Sequence, residues 1–223
     1  MREEEWPVVP VETLCRVCGN EIGTEEYPSW DRYGAPRYVI CDCCGIESGV
    51  GDDAVAGTWE GTAQLQSQRG MWVTARGAAW EDPAERPADW DLVACMVRVS
   101  AGYRTPPPPA ADPARLRVAW EARTDGGTET VCRVCGFAGG GVRWREGVPT
   151  GARCPCCGVE AGVDDVPLTG TWRDEERVCA RRGWWLANGA RWAVPAARPA
   201  DWDVLRQLAG VPEEWHWRGE RAV

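Results

Sequence analysis

The pattern that most constrains this chain is a cysteine spacing that occurs twice. Cys15-Arg16-Val17-Cys18-Gly19 is followed, after a 22-residue gap, by Cys41-Asp42-Cys43-Cys44-Gly45. Cys132-Arg133-Val134-Cys135-Gly136 is followed, after an 18-residue gap, by Cys154-Pro155-Cys156-Cys157-Gly158. With the outer cysteines of each second cluster, both sets read C-x2-C…C-x2-C, the spacing of a four-thiolate zinc site. Two intervening residues let a tight turn aim both sulfurs at one ion, and the glycine lets the backbone leave through positive φ. Four thiolates fill a tetrahedron, so the expected ion is structural. The expected ligands are Cys15, Cys18, Cys41 and Cys44 in one set and Cys132, Cys135, Cys154 and Cys157 in the other. Two zinc ions per chain follow. Rubredoxin-like iron is the alternative, because tetrahedral S₄ suits either metal.

The twelve cysteines also fit a disulfide framework in a secreted protein. The acidic N-terminus, Met1-Arg2-Glu3-Glu4-Glu5, runs into no apolar segment of secretory type, so a cytoplasmic, reducing setting is expected. No apolar run approaches the ~18 residues of a membrane span, so no membrane partner is expected. Cys43 and Cys156 are surplus at matching positions. They read as small buried side chains, with an alternate ligand or a redox thiol as the other reading. Cys95 and Cys179 match Gln207 and Gln66 in the other copy and read as core.

The cysteine clusters belong to a longer repeat. Gly57-Thr58-Trp59 returns as Gly170-Thr171-Trp172, and Arg69-Gly70-Met71-Trp72 as Arg182-Gly183-Trp184-Trp185. Arg86-Pro87-Ala88-Asp89-Trp90-Asp91 returns unchanged at 198–203. Residues 1–12 are read as an N-terminal tail, 13–99 as the first module and 100–114, with Pro106–Pro109, as a Pro-rich linker. Residues 115–211 form the second module and 212–223 a C-terminal tail. The fold class is α+β: two tandem zinc-ribbon-like modules, each a pair of β-knuckles with Trp-bearing helices. Arg37-Tyr38-Val39-Ile40 is predicted as a strand from its β-branched and aromatic content. Helices are predicted after Trp59 and Trp172, where Leu65, Trp72 and Val73, and Val178, Trp185 and Leu186, share one helical face. A second short helix is predicted near Asp89 and Asp201, where Asp can cap free N–H groups.

Ten of the fifteen tryptophans form repeat pairs and read as core. The unpaired Trp6, Trp120, Trp184, Trp215 and Trp217 are the candidates for partner contacts. Glu47/Glu160 and Asp52/Asp165 recur beyond the second cluster. They read as turn-bonding carboxylates, with acid–base or hard-cation chemistry as the alternative. Arg173, Arg177, Arg181 and Arg182 stand among acidic residues and read as a solvated helix face. The single histidine, His216, lies in the expected tail, which weakens schemes of acid–base catalysis. The expectation is therefore not an enzyme. The chain has no lysine and a net charge of −9, all of it in residues 1–110, so nucleic-acid binding is a third reading only.

The cluster Cys154-Pro155-Cys156-Cys157-Gly158, with Arg182-Gly183-Trp184-Trp185, Gly189-Ala190-Arg191-Trp192 and Pro199-Ala200-Asp201-Trp202-Asp203, resembles the small bacterial cysteine-rich "CPCC" proteins. The resemblance spans both copies, with Asp42 in the place of Pro155 in the first. It implies an uncharacterised metal-binding family, some of whose relatives are linked to toxin–immunity systems, and it supplies no catalytic residue. The functional expectation is a zinc-binding protein-interaction or adaptor protein, with an immunity-type role as one form. A redox or electron-transfer protein is the alternative.

Overall fold

The computed structural model describes residues 9–104, 108–109, 127–165 and 174–216. It is mixed in class, with four helices and one small antiparallel sheet among the described residues. The first half carries α1 (Trp59–Ala75) and the short α2 (Leu92–Met96). The second carries β1 (Thr128–Glu129), β2 (Trp144–Arg145), β3 (Val148–Pro149), α3 (Asp174–Ala187) and the short α4 (Val204–Leu208). The sheet order is β1-β2-β3, with Glu129 opposite Trp144 and Arg145 opposite Val148.

Local chemistry explains the helix limits. The Thr58 hydroxyl accepts from the Gly61 N–H and caps α1, which ends before Gly77 and Ala78, both at positive φ. The caps of the short helices are Asp91 and Asp203, which accept from Ala94 and Arg206 N–H at 2.7 Å. The caps therefore lie two residues beyond the Asp89 and Asp201 near which these helices are expected from sequence, and the helices begin at Leu92 and Val204. The recurring Arg-Pro-Ala-Asp-Trp-Asp segment has divided roles. Its Arg stacks on its Trp (Arg86 over Trp90 at 4.8 Å, Arg198 over Trp202 at 4.5 Å), and its last Asp caps the helix.

The strand expected over Arg37–Ile40 is not a strand. Ile40 makes an isolated bridge to Glu47, and Tyr38 sits at φ 56°. A bulky residue in the left-handed region breaks the extended run that its β propensity favours. The first half holds its knuckles by isolated bridges, such as Glu12 to Trp30, at the place where the second half forms β1 and β2.

The two halves meet through α1 and α3 at two glycines. A Cβ on Gly70 would lie 2.0 Å from the Cys179 carbonyl oxygen, and one on Gly183 would lie 2.0 Å from that of Gln66. Gln66 and Cys179 are themselves matching positions, so the contact is reciprocal and antiparallel. Hydrogen bonds cross the same seam: Ser67 to the Glu176 carbonyl, Arg182 to the Thr74 hydroxyl at 3.0 Å, and Asn188 to the Arg104 carbonyl at 2.8 Å. Trp72, Leu65, Trp185 and Leu186 pack beneath this seam in one buried cluster that includes cysteines of both sets.

Candidate metal centres

Each cysteine pair sits on a turn with the same backbone bonds. Gly19 N–H donates to the Cys15 carbonyl at 2.9 Å, and Gly45 N–H to that of Cys41 at 2.7 Å. In the second half, Gly136 donates to Cys132 and Gly158 to Cys154. The turn between Cys41 and Cys44 thus repeats the turn between Cys15 and Cys18, with Cys43 outside the four-sulfur set. Gly19 and Gly136 are required twice over. Both have positive φ, and a Cβ there would lie 2.1 Å from the Cys95 carbonyl oxygen and 2.2 Å from that of Gln207. The knuckle is therefore pressed directly against the short helix of its own half.

The turns bring Cys15, Cys18, Cys41 and Cys44 together, and likewise Cys132, Cys135, Cys154 and Cys157. Within each set all four sulfurs lie within 4.8 Å of one another. Cys15 and Cys44 sulfurs are 3.5 Å apart and Cys18 and Cys41 3.6 Å; the second set repeats these distances. A tetrahedron with Zn–S bonds near 2.3 Å has edges of about 3.8 Å, so both clusters fit one four-coordinate ion with a small adjustment. None of the twelve cysteines is in a disulfide. Burial pushes the Cys18, Cys44, Cys135 and Cys157 thiols well up, whereas hydrogen bonds from the neighbouring thiols hold Cys41 and Cys154 well down. Four buried sulfurs cannot all carry charge unaided, and a dication is the species that lets them ionise together.

Two arginines are buried against the clusters. Arg69 and Arg182 have no solvent exposure. Arg69 Nε donates to the Val17 carbonyl at 2.7 Å, and its other nitrogens reach the Arg16 and Tyr103 carbonyls and Gln66. Arg182 does the same to Val134, Arg133 and Trp215. Each guanidinium thus locks a long helix onto the turn between the first two cysteines. Burial pushes Arg69 down to about 10, against the pull of Cys15 and Cys18, so it stays charged at neutral pH. This corrects the solvated-face expectation for Arg182, and for Arg181, which is 7% exposed and pairs with Asp164 at 2.8 Å. A helix that clamps a knuckle must turn its Arg inward, and helical charge spacing does not register this. Arg173 lies outside the described residues.

A second layer is equally matched. Arg16 lies between the rings of Trp30 (3.4 Å) and Tyr103 (4.6 Å), and pairs with Glu12 at 2.7 Å. Arg133 lies between Trp144 (3.8 Å) and Trp215 (4.2 Å), and pairs with Glu129 at 2.6 Å. Trp215 is therefore the counterpart of Tyr103. It is a candidate contact of the expected C-terminal tail, and it is 4% exposed and packs inside the second half. Val99 and Val211, both buried, carry the match through 97–103 and 209–215, where the substitution of Trp for Tyr had hidden it. His216 accordingly sits half-buried, its Nε2 2.9 Å from the Val211 carbonyl.

Asp52 and Asp165 hold tryptophans. Asp52 accepts from Trp30 Nε1 at 3.3 Å and Gly49 N–H at 2.7 Å, and Asp165 from Trp144 Nε1 at 3.3 Å and Gly162 N–H at 2.9 Å. Glu160 pairs with the exposed Arg153 at 2.8 Å, and Glu47 makes bridges to Ile40 and Gly51. Cys43 and Cys156 are fully buried beside the clusters without joining them. Gln207 donates to Cys156 Sγ at 3.3 Å. The match is not complete. Arg143, 1% exposed, lies 3.7 Å from Asp165 and donates to the Val159 carbonyl, where the first half has Ser29. Burial works against its charge, but Cys132, Asp165 and Cys154 outweigh that and hold its pKa up.

Trp184 is half-buried at the edge of a groove between the halves. Trp6, Trp120 and Trp217 lie outside the described residues, as do Trp172 and most of the Pro-rich segment. Of that segment, the Pro109 carbonyl accepts from Arg177 and Arg181 at 3.1 and 3.0 Å. No described helix is long and apolar enough to cross a membrane. No protein-family model, curated protein or solved structure matches the chain.

Proposed function

We propose that this chain is a non-enzymatic zinc protein built from two zinc-ribbon-like modules, each closed by one Zn(Cys)₄ centre, that serves as a protein-interaction or adaptor scaffold. The observation that carries it is the pair of buried four-sulfur clusters, each clamped to a helix by a buried arginine. A closed S₄ shell leaves no position for substrate, which favours a structural ion over a catalytic one. The carboxylates that could serve an acid–base role are engaged with tryptophan and backbone N–H groups. The resemblance to CPCC-type proteins extends the reading to an immunity-type role in a bacterial cytoplasm.

Metal analysis of the purified chain with an absorption spectrum tests the metal, and a pull-down with metal-loaded protein tests the partner. Two zinc ions in a colourless sample support the proposal. Stoichiometric iron with a visible charge-transfer band would replace it with electron transfer, since S₄ geometry accepts either ion.

A further inference from the structure

The two clusters differ in how they are covered. In the first half Cys44 is 2% exposed. The Arg76 guanidinium donates to the Cys44 carbonyl at 3.0 Å and to the Glu81 carboxylate at 2.5 Å, so this ion pair lies across the turn. It comes so close that a Cβ on Gly45 would lie 2.5 Å from Glu81 Oε2.

The second half has neither residue. Ala193 stands in the place of Glu81, and its helix turns off one residue sooner, at Asn188-Gly189-Ala190 against Ala75-Arg76-Gly77-Ala78. Arg76 is the residue left without a counterpart. Over Gly158, among the described residues, there is the Ala193 methyl group alone, 3.3 Å from a Cβ built there. Cys157 is accordingly the one member of either cluster that is not fully buried. It opens to a groove of about 610 Å³ between the halves, shared with Val97, Arg104, Trp184, Asn188 and Arg191, and to a smaller one of about 190 Å³ beside Pro108 and Arg181.

Resting on the metal-binding reading above, we infer that the second centre is the labile one of the two, and that Cys157 is the point at which a hydroperoxide attacks it. The Cys157 thiolate displaces hydroxide from hydrogen peroxide. An S–O bond forms, the O–O bond breaks, and the sulfur is oxidised to a sulfenic acid as the peroxide is reduced. The Cys132 sulfur, 3.5 Å away, then attacks the sulfenic sulfur and expels a second hydroxide, leaving a Cys132–Cys157 disulfide. Two of the four ligands are consumed, so the second half gives up its ion while the first keeps its own. The chain then answers peroxide with one module and stays folded through the other.

The test treats purified, metal-loaded protein with limiting hydrogen peroxide. Metal release is followed with a chromophoric chelator, and thiols are mapped by alkylation and mass spectrometry. The expected result is one ion released at least about tenfold faster than the other, with Cys132 and Cys157 oxidised first and Cys15 and Cys44 still reduced. Arg76→Ala and Glu81→Ala should speed release from the first centre toward the rate of the second. Equal rates in both halves, first oxidation at Cys15 or Cys44, or no effect of either substitution would overturn the inference. Protein purified without metal would overturn the metal-binding reading instead. Alkylation of its thiols would still rank Cys157 against Cys44, and equal labelling there would overturn the inference as well.

Discussion

At the residue scale, the arginines decide more than the cysteines reveal. A guanidinium with three backbone carbonyls around it has a fork geometry that an ammonium cannot copy. Arg69→Ala leaves those carbonyls buried and unpaired and should cost about 3–5 kcal/mol, read as a lowered urea midpoint. Arg69→Lys should recover little of it. Arg182→Ala should behave alike in the second half. Recovery to wild-type stability by lysine would show that charge alone is at work. The carboxylates give a pH signature of opposite signs. Burial raises Asp52 and Asp165, whereas the Ala35 and Tyr33 N–H groups lower Asp31. Stability from Asp31 is present above the ordinary carboxylate pKa and is lost as pH falls through its lowered value. For Asp52 and Asp165 the neutral form is favoured, so their contribution is full below the ordinary value and fades as pH rises through the raised one. A carboxyl NMR titration should find Asp52 and Asp165 ionising at higher pH than Asp31; the reverse order would contradict the burial assigned here. Among the sulfurs, Cys157→Ser should lose the ion of the second half and Cys156→Ser should keep it. Loss in Cys156→Ser with retention in Cys157→Ser would show that Cys156 is the ligand, and equal loss in both would show that the site needs Cys156 as well.

At the element scale, the helix pair is joined where glycine replaces a side chain. Gly70→Ala and Gly183→Ala each drive a methyl into a backbone oxygen, which cannot move aside as a side chain would. Each should cost at least the ~1–3 kcal/mol of overpacking. The double variant should fall short of additive, because either one already parts the helices. Thermal melts of the three variants check this, and full additivity would argue that the two glycines sit in separate contacts. The sequence carried the first of these helices well, since Leu65, Trp72 and Val73 mark the inner face and Trp59 the start. It did not carry the role of Gly70, because a glycine inside a helical pattern reads only as a weak point until its neighbour is known. The Arg37–Ile40 strand failed for a related reason: Tyr38 takes a left-handed conformation that no propensity anticipates.

At the scale of the whole molecule, two small halves share one interior. The Cys-x2-Cys spacing alone announced both four-thiol clusters, because metal ligands have to be close in a turn before they are close in space. The Tyr103/Trp215 match was hidden because stacking on an arginine accepts either ring. The seam was hidden because nothing local marks a surface that meets its own likeness. On the proposed reading, a core of this kind, centred on sulfurs that cannot ionise unaided, would make metal part of the folding equilibrium. Apparent zinc affinities in zinc-finger peptides amount to ~10–16 kcal/mol, as large as the whole stability of an ordinary domain. The most direct measurement is metal content per chain together with circular dichroism before and after a strong chelator. Two divalent ions per chain, with loss of the helical signal as they are removed, is the result expected. A chain purified without stoichiometric metal, or one that keeps its fold after complete removal, would contradict it.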